Sequence, residues 1–318
     1  MRRLLKILGL LLMAGLVLAG GAAVLAWRQL DAPGPLAAAK PVVVPRGGVD
    51  DIAGALLAQG VISQPRLFSA AALLTRSAGP LRAAEFEFPA QASIRQVLAV
   101  LREARPVQRR LTIPEGFLSG QIAALLQRTE GLIGELPAIP EGSVLPETYS
   151  FQWGDTRAAV VRRAQEAMDR ALAEAWASRA PNLPLASPRE ALVLASIIER
   201  ETGVASERAR VGGVFVNRLR RGMMLQSDPT TAYAVSPGMP LDRPLTRADL
   251  DRDHPFNTYR VRGLPPGPIA SPGRESLRAA TQPEATEFLF FVADGTGGHA
   301  FARTLEEHNR NVARWRAR

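Results

Sequence analysis

Ser187-Pro-Arg-Glu-Ala-Leu-Val-Leu-Ala-Ser-Ile-Ile-Glu-Arg-Glu-Thr202 reads as a helix that announces both of its ends. Ser187 is placed to cap it, Pro188 takes the first helical position where a missing N–H costs nothing, and Glu190 stands third. Gly203, just beyond, is expected to take a left-handed cap. The apolar run closes on two glutamates, and the 3.6-residue period puts them on different faces. Glu201 follows Leu194, Ile197 and Ile198 at seven, four and three residues, so it continues the core-facing stripe. Glu199 follows Leu192, Ala195 and Ser196, a less apolar line expected at the periphery.

A carboxyl on the core stripe at a helix C-terminus has two reasons to hold its proton. Burial disfavours the charged form, and the partial negative charge of the helix end disfavours it further, both raising the pKa from a reference of about 4.3. A glutamate protonated near neutral pH can serve as a general acid. Equally open on these grounds is a structural role, in which Glu201 pairs with an arginine such as Arg208 and only fixes the helix junction.

Outward from this helix the chain reads as α+β. Thr156–Ala177 is a long helix rich in Ala, Arg and Glu, and Glu207–Arg221 is another that ends at Gly222. Glu287–Gly295 and Gly298–Phe301 flank a glycine-rich turn and read as a hairpin. Upstream, a strand at Pro41–Pro45, helices near 50–59 and 65–75, the alternating strand Ala84–Pro89 and a helix over 93–105 capped by Ser93 make a small α+β subdomain, 41–109. The strand at Arg110–Gly116 and the helix Phe117–Leu126 open a larger α+β domain, 110–318.

The N-terminus is of another kind. Ile7–Trp27 is an unbroken apolar run, long enough as a helix to span about 30 Å of hydrocarbon. It follows Arg2, Arg3 and Lys6 with no acid among them, which predicts a cytoplasmic tail over 1–6, a single transmembrane helix over 7–27, a linker over 28–40 and export of the rest. A cleavable leader with small residues at Gly20–Ala23 is the competing reading, but this run exceeds the usual h-region of about 7–15 residues.

Composition removes whole classes of chemistry. Among 318 residues there is no cysteine and only three histidines, His254, His299 and His308, with no HExxH pair and no GxSxG elbow. Thiol catalysis, serine-triad hydrolysis and a metal site are therefore not expected, nor is any cofactor. The net charge of +9 is spread among acids without a basic run, so no nucleic-acid partner is expected.

The stretch Leu194-Ala-Ser-Ile-Ile-Glu-Arg-Glu-Thr202 also carries a resemblance. With Val204-Ala-Ser-Glu207, Val214-Phe-Val-Asn-Arg-Leu219, Met224-Leu-Gln-Ser-Asp-Pro-Thr230, Phe256-Asn-Thr-Tyr259, Gly263-Leu-Pro-Pro-Gly267 and Phe291-Val-Ala-Asp-Gly295, it resembles the ordered signatures of YceG-like (MltG) endolytic murein transglycosylases. Pro146-Glu-Thr-Tyr149 is similar to a further segment of that family, whereas the first half of the chain matches mainly in pattern. The resemblance implies a LysM-like subdomain before the catalytic domain, and an inner-membrane protein whose body lies in the periplasm. It implies cleavage of the β-1,4 bond between N-acetylmuramic acid and N-acetylglucosamine in nascent strands, with a 1,6-anhydro end formed and elongation terminated, and peptidoglycan synthases as partners. The family's catalytic glutamate, the second in its Ile-Glu-Lys/Arg-Glu-Thr motif, falls on Glu201, the residue that the helical phase also selects.

Gln226, Asp228 and Asn257 lie in motif-matching loops, as candidates to bind N-acetyl groups or steady the transition state; the alternative for each is a loop lock. Tyr259 is expected to stack on a sugar or to sit half-buried, and His299 and His308 to cap or pack. Two other functions stand beside the transglycosylase. One is a non-catalytic membrane-anchored scaffold that binds peptidoglycan; the other is a hydrolase pairing Glu201 with Asp228.

Overall fold

The computed structural model describes residues 2–317 and shows a mixed α+β chain with three small antiparallel ribbons. Its backbone starts with a helix, α1 (Arg2–Gln29). Among the described residues no helix is long and apolar enough to cross a membrane; many side chains of the expected anchor over 7–27 lie outside those described. Contacts divide the chain into two units, residues 1–109 with 152–154, and residues 110–151 with 155–318.

In the first unit β1 (Lys40–Val43) is followed by α2 (Val49–Ala58), α3 (Pro65–Leu74), β2 (Glu85–Phe88) and α4 (Ile94–Glu103). β1 and β2 pair antiparallel, Val42 opposite Phe86. The alternation of Glu85-Phe-Glu-Phe88 buries Phe86 and Phe88, and Leu56, Phe68, Val97 and Leu101 close the core around them. Glu85 is buried too, because Arg109 grips its carboxylate through two hydrogen bonds of 2.8 and 2.9 Å. Ser93 caps α4 in a reciprocal capping box with Gln96.

The second unit is organised about one helix. β3 (Arg109–Thr112), α5 (Ser119–Arg128) and β4 (Thr148–Phe151) precede α6 (Arg157–Ala177), and β3 pairs with β4. Then come α7 (Pro188–Glu201), α8 (Arg208–Arg220), α9 (Asp228–Val235), the single turn α10 (Arg247–Leu250) and α11 (Arg274–Thr281). α7 is enclosed by α6, α8 and α11, and every residue from Val193 to Ile198 is buried. It is therefore apolar almost all round, not merely on one stripe. Gly212 and Gly213 let α8 come close: a Cβ at Gly212 would stand 2.5 Å from the Ala279 carbonyl oxygen on α11. The chain ends in the hairpin β5 (Phe290–Ala293) and β6 (His299–Ala302), followed by α12 (Leu305–Arg316).

One expectation about the helices needs correction, and three helices lie outside all of them. Gly203 is not in the left-handed region; α7 ends on an extended Thr202, which breaks the helix without help from glycine. α9, α11 and α12 were not anticipated from the sequence, since two are only eight residues long and lie in stretches dense in Pro and Gly.

Candidate active site

The end of α7 delivers its two glutamates to different environments. Glu199 is not peripheral: its side chain is 4% exposed, Arg208 donates to Oε1 at 3.2 Å, and the Gly273 N–H donates to Oε2 at 2.9 Å. Because the line through Ala195 and Ser196 is itself buried, Glu199 is drawn under α8 and α11 and ties their starts to α7. Arg208 also binds Glu115 at 3.0 Å. The arginine considered as a partner for Glu201 is thus occupied by two other carboxylates.

Glu201, two residues on, reaches a cleft of about 470 Å³. Ser227 Oγ donates to its Oε1. Oε2 has no hydrogen-bond partner among the described residues and is not sealed from the cleft. Burial pushes the carboxyl up to about 7; the nearby Asp228 charge pushes the same way, while the Ser227 hydrogen bond and the Arg218 charge pull it down. Near neutral pH such a group can give a proton and take one back.

The other walls of the cleft come from α8, the loop before α9, the Tyr259 loop, β5 and α12. Arg218 is anchored by carbonyls, donating from Nε to Leu289 at 2.6 Å and from Nη1 to Leu225 at 2.8 Å, and Nη1 also meets Gln226 Oε1 at 3.3 Å. Its guanidinium lies over the Phe290 ring at 5.1 Å. Gln226 adopts φ +50°, a left-handed conformation unusual for a residue with a side chain, held by its N–H on the Thr258 carbonyl at 3.1 Å. Asp228, the first residue of α9, accepts from the Tyr259 hydroxyl at 2.7 Å. Burial and that acidic partner raise the Tyr259 phenol well above its usual range.

Three of the four residues singled out from the sequence, Glu201, Gln226 and Asp228, therefore line one cleft. Asn257 does not: it is fully buried, donates to the carbonyls of Leu250 and Arg252 at 3.0 and 2.8 Å, and accepts from Thr231 and the Tyr259 N–H. Of its two readings the geometry favours the loop lock. Ser227 and Arg218 were missed, although both stand inside quoted motifs, because no spacing rule ties either to Glu201. His299 lines the cleft with its Nδ1 on Glu207 at 2.7 Å, and His308 stacks on Phe290 at 5.2 Å.

A family model described as YceG-like matches residues 42–314. The chain belongs to the YceG-like family. An endolytic murein transglycosylase of Bacillus subtilis (strain 168) is 39% identical to this YceG-like chain over 170 residues, 54% of the chain and 46% of the relative. One of Streptococcus pneumoniae serotype 2 (strain D39) is 28% identical over 323 residues, covering 86% of the chain and 57% of the relative. The chain thus spans about half the length of these curated relatives. The solved structure of a YceG-like protein from Listeria monocytogenes superposes with a TM-score of 0.53 at 29% identity, covering 86% of this chain and 98% of that one.

Proposed function

We propose that this YceG-like chain is an endolytic murein transglycosylase with Glu201 as its single catalytic acid and base. The observation that carries the reading is a carboxyl raised to about 7 inside a cleft, with one oxygen held by Ser227 and the other open. Protonated Glu201 donates to the bridging oxygen as the bond between N-acetylmuramic acid C1 and that oxygen breaks. The resulting carboxylate takes the proton of the sugar's 6-hydroxyl as O6 closes on C1, which leaves a 1,6-anhydro end and consumes no water. Ordinary glycosidases pair two carboxylates; one acid suffices where the nucleophile belongs to the sugar. Arg218 and Gln226 stand beside this acid to orient substrate, and the chain's own residues supply the reaction without a cofactor.

In this reading residues 7–27 anchor the chain once in the inner membrane, with the N-terminus cytoplasmic and both folded units periplasmic, the first as a LysM-like subdomain. Exposed apolar side chains on α1, among them Leu12, Leu16 and Leu25, support it. Cutting nascent strands there ends their elongation, which places the chain beside peptidoglycan synthases. The test is mass spectrometry of fragments released from polymeric murein by full-length protein and by Glu201→Gln. Anhydro ends from the wild type and none from the variant are expected. Reducing ends would mean that water attacked, and binding without any cut would mean a scaffold.

A further inference from the structure

The cleft that holds Glu201 also touches four consecutive residues of β5, Phe290 to Ala293. Side chains alternate along a strand, so a cavity lying against one face meets every second residue. Here both faces contribute. His299, opposite Ala293 in the ladder and edge-on to Phe291 at 5.4 Å, belongs to one face, while His308, stacked on Phe290, covers the other. A cavity reached from both faces lies along the strand's edge, where the main chain is.

The register identifies which main-chain groups face it. The Asp294 N–H donates to the Gly298 carbonyl at 3.0 Å, and the ladder sets Val292 opposite Ala300 and Phe290 opposite Ala302. Hydrogen-bonded pairs alternate along an antiparallel ladder, so Phe290 and Val292 exchange bonds with β6 while Phe291 and Ala293 turn their N–H and C=O groups the other way. Just upstream the chain is already partnered: the Phe288 carbonyl accepts from Asn217 at 3.1 Å and the Leu289 carbonyl from Arg218 at 2.6 Å. Among the described residues no such partner meets the main-chain groups of Phe291 or Ala293 outside the ladder.

Two outward donor–acceptor pairs, two residues or about 7 Å apart, match an extended chain of consecutive amides. A lone N-acetyl group has one amide and can engage only one of the two. We propose that this edge of β5 binds the peptide stem of a glycan strand as a short added strand. The inference rests on the cleft being a murein site. A stem hangs from the lactyl group of N-acetylmuramic acid, the sugar whose C1 reacts, so a stem on β5 enters the same cleft as the bond facing Glu201. Its first residue has the N–H and C=O needed to pair with one edge residue, and the chain beyond reaches the next. The cleft would then prefer stem-bearing strands over bare ones.

The experiment measures, by calorimetry, binding of the full-length protein to a disaccharide of N-acetylglucosamine and N-acetylmuramic acid, with and without its stem peptide. About tenfold tighter binding of the stem-bearing form is expected, the sum of a few net hydrogen bonds. Ala293→Pro removes one outward N–H from an edge strand, where proline is tolerated, and should shrink the gap to about twofold; Ala293→Ser keeps the N–H and should keep the gap. Equal affinity of the wild type for the two ligands, or an undiminished gap in the proline variant, overturns the proposal. Amide hydrogen exchange on the wild type reads the same point without a variant, since exchange at Phe291 and Ala293 must slow when the stem-bearing ligand is added; unchanged exchange there overturns it too. Binding the stem without cutting polymer would sink the transglycosylase reading and leave this one standing.

Discussion

Ser227 Oγ donates to Glu201 Oε1, while Asp228, the next residue, presses a negative charge on the same carboxyl. Neighbours in sequence thus pull one proton equilibrium in opposite directions. The hydrogen bond favours the carboxylate and lowers the pKa; the charge disfavours it and raises the pKa. Ser227→Ala should therefore move the alkaline limb of the kcat/KM profile to higher pH, and Asp228→Asn should move it to lower pH, each by about half a unit to one unit. Profiles on polymeric murein decide it: limbs that shift in the same direction would mean that Glu201 is not the group being titrated.

Stability should report the same proton. Glu201 sits near 7 in the fold against an ordinary 4.5, so the native state holds its proton more tightly than the unfolded chain does. The stabilisation this gives is complete below pH of about 4.5 and is lost as pH rises through about 7. Its limit is about 3 kcal/mol, from a gap of roughly two and a half units. Glu201→Gln has no such dependence. Thermal melts at about pH 5 and pH 8 should show the variant gaining on the wild type at the higher pH, and a constant difference across that range would contradict the assigned pKa.

What could be read in the chain beforehand was local. Ser93, Ser187 and Pro188 fix helix starts within one turn of themselves, and each does so in the structure. The phase of Glu201 followed from period alone. Glu199 was misread because one helix's stripe does not reveal how many neighbours enclose it; α6, α8 and α11 do so together. Arg218 approaches Glu201 only because the Leu225 and Leu289 carbonyls fix its guanidinium, and no spacing in the sequence encodes that meeting. Asn257 shows the reverse. Its motif left a ligand and a loop lock equally open, and its amide is spent on the carbonyls of Asp249, Leu250 and Arg252, a few residues away.

That spending makes Asn257 a stability residue. Asn257→Ala would leave the carbonyls of Asp249, Leu250 and Arg252 and the buried Thr231 hydroxyl without their partner, at a cost of about 2–4 kcal/mol. The expected result is a lowered melting temperature, with KM on murein little changed in the protein that remains folded. A raised KM at an unchanged melting temperature would instead return Asn257 to the substrate.

The two glutamates of α7 should give reciprocal phenotypes although only Arg200 separates them. Glu199 spends both oxygens on Arg208 and the Gly273 N–H, so its work is to hold α7, α8 and α11 together. Glu199→Gln keeps an acceptor but weakens a charge-assisted bond and leaves Arg208 to share Glu115, which should cost about 1–3 kcal/mol. Below its melting temperature that variant should still release anhydro ends, with the alkaline limb of its pH profile in place. Glu201→Gln should do the opposite, keeping the fold and losing the rate by a factor of about 10²–10⁴, the usual share of general acid–base catalysis. Melting curves and product yields on the two variants separate the roles, and an inactive Glu199→Gln that melts like the wild type would assign the chemistry to the wrong carboxyl.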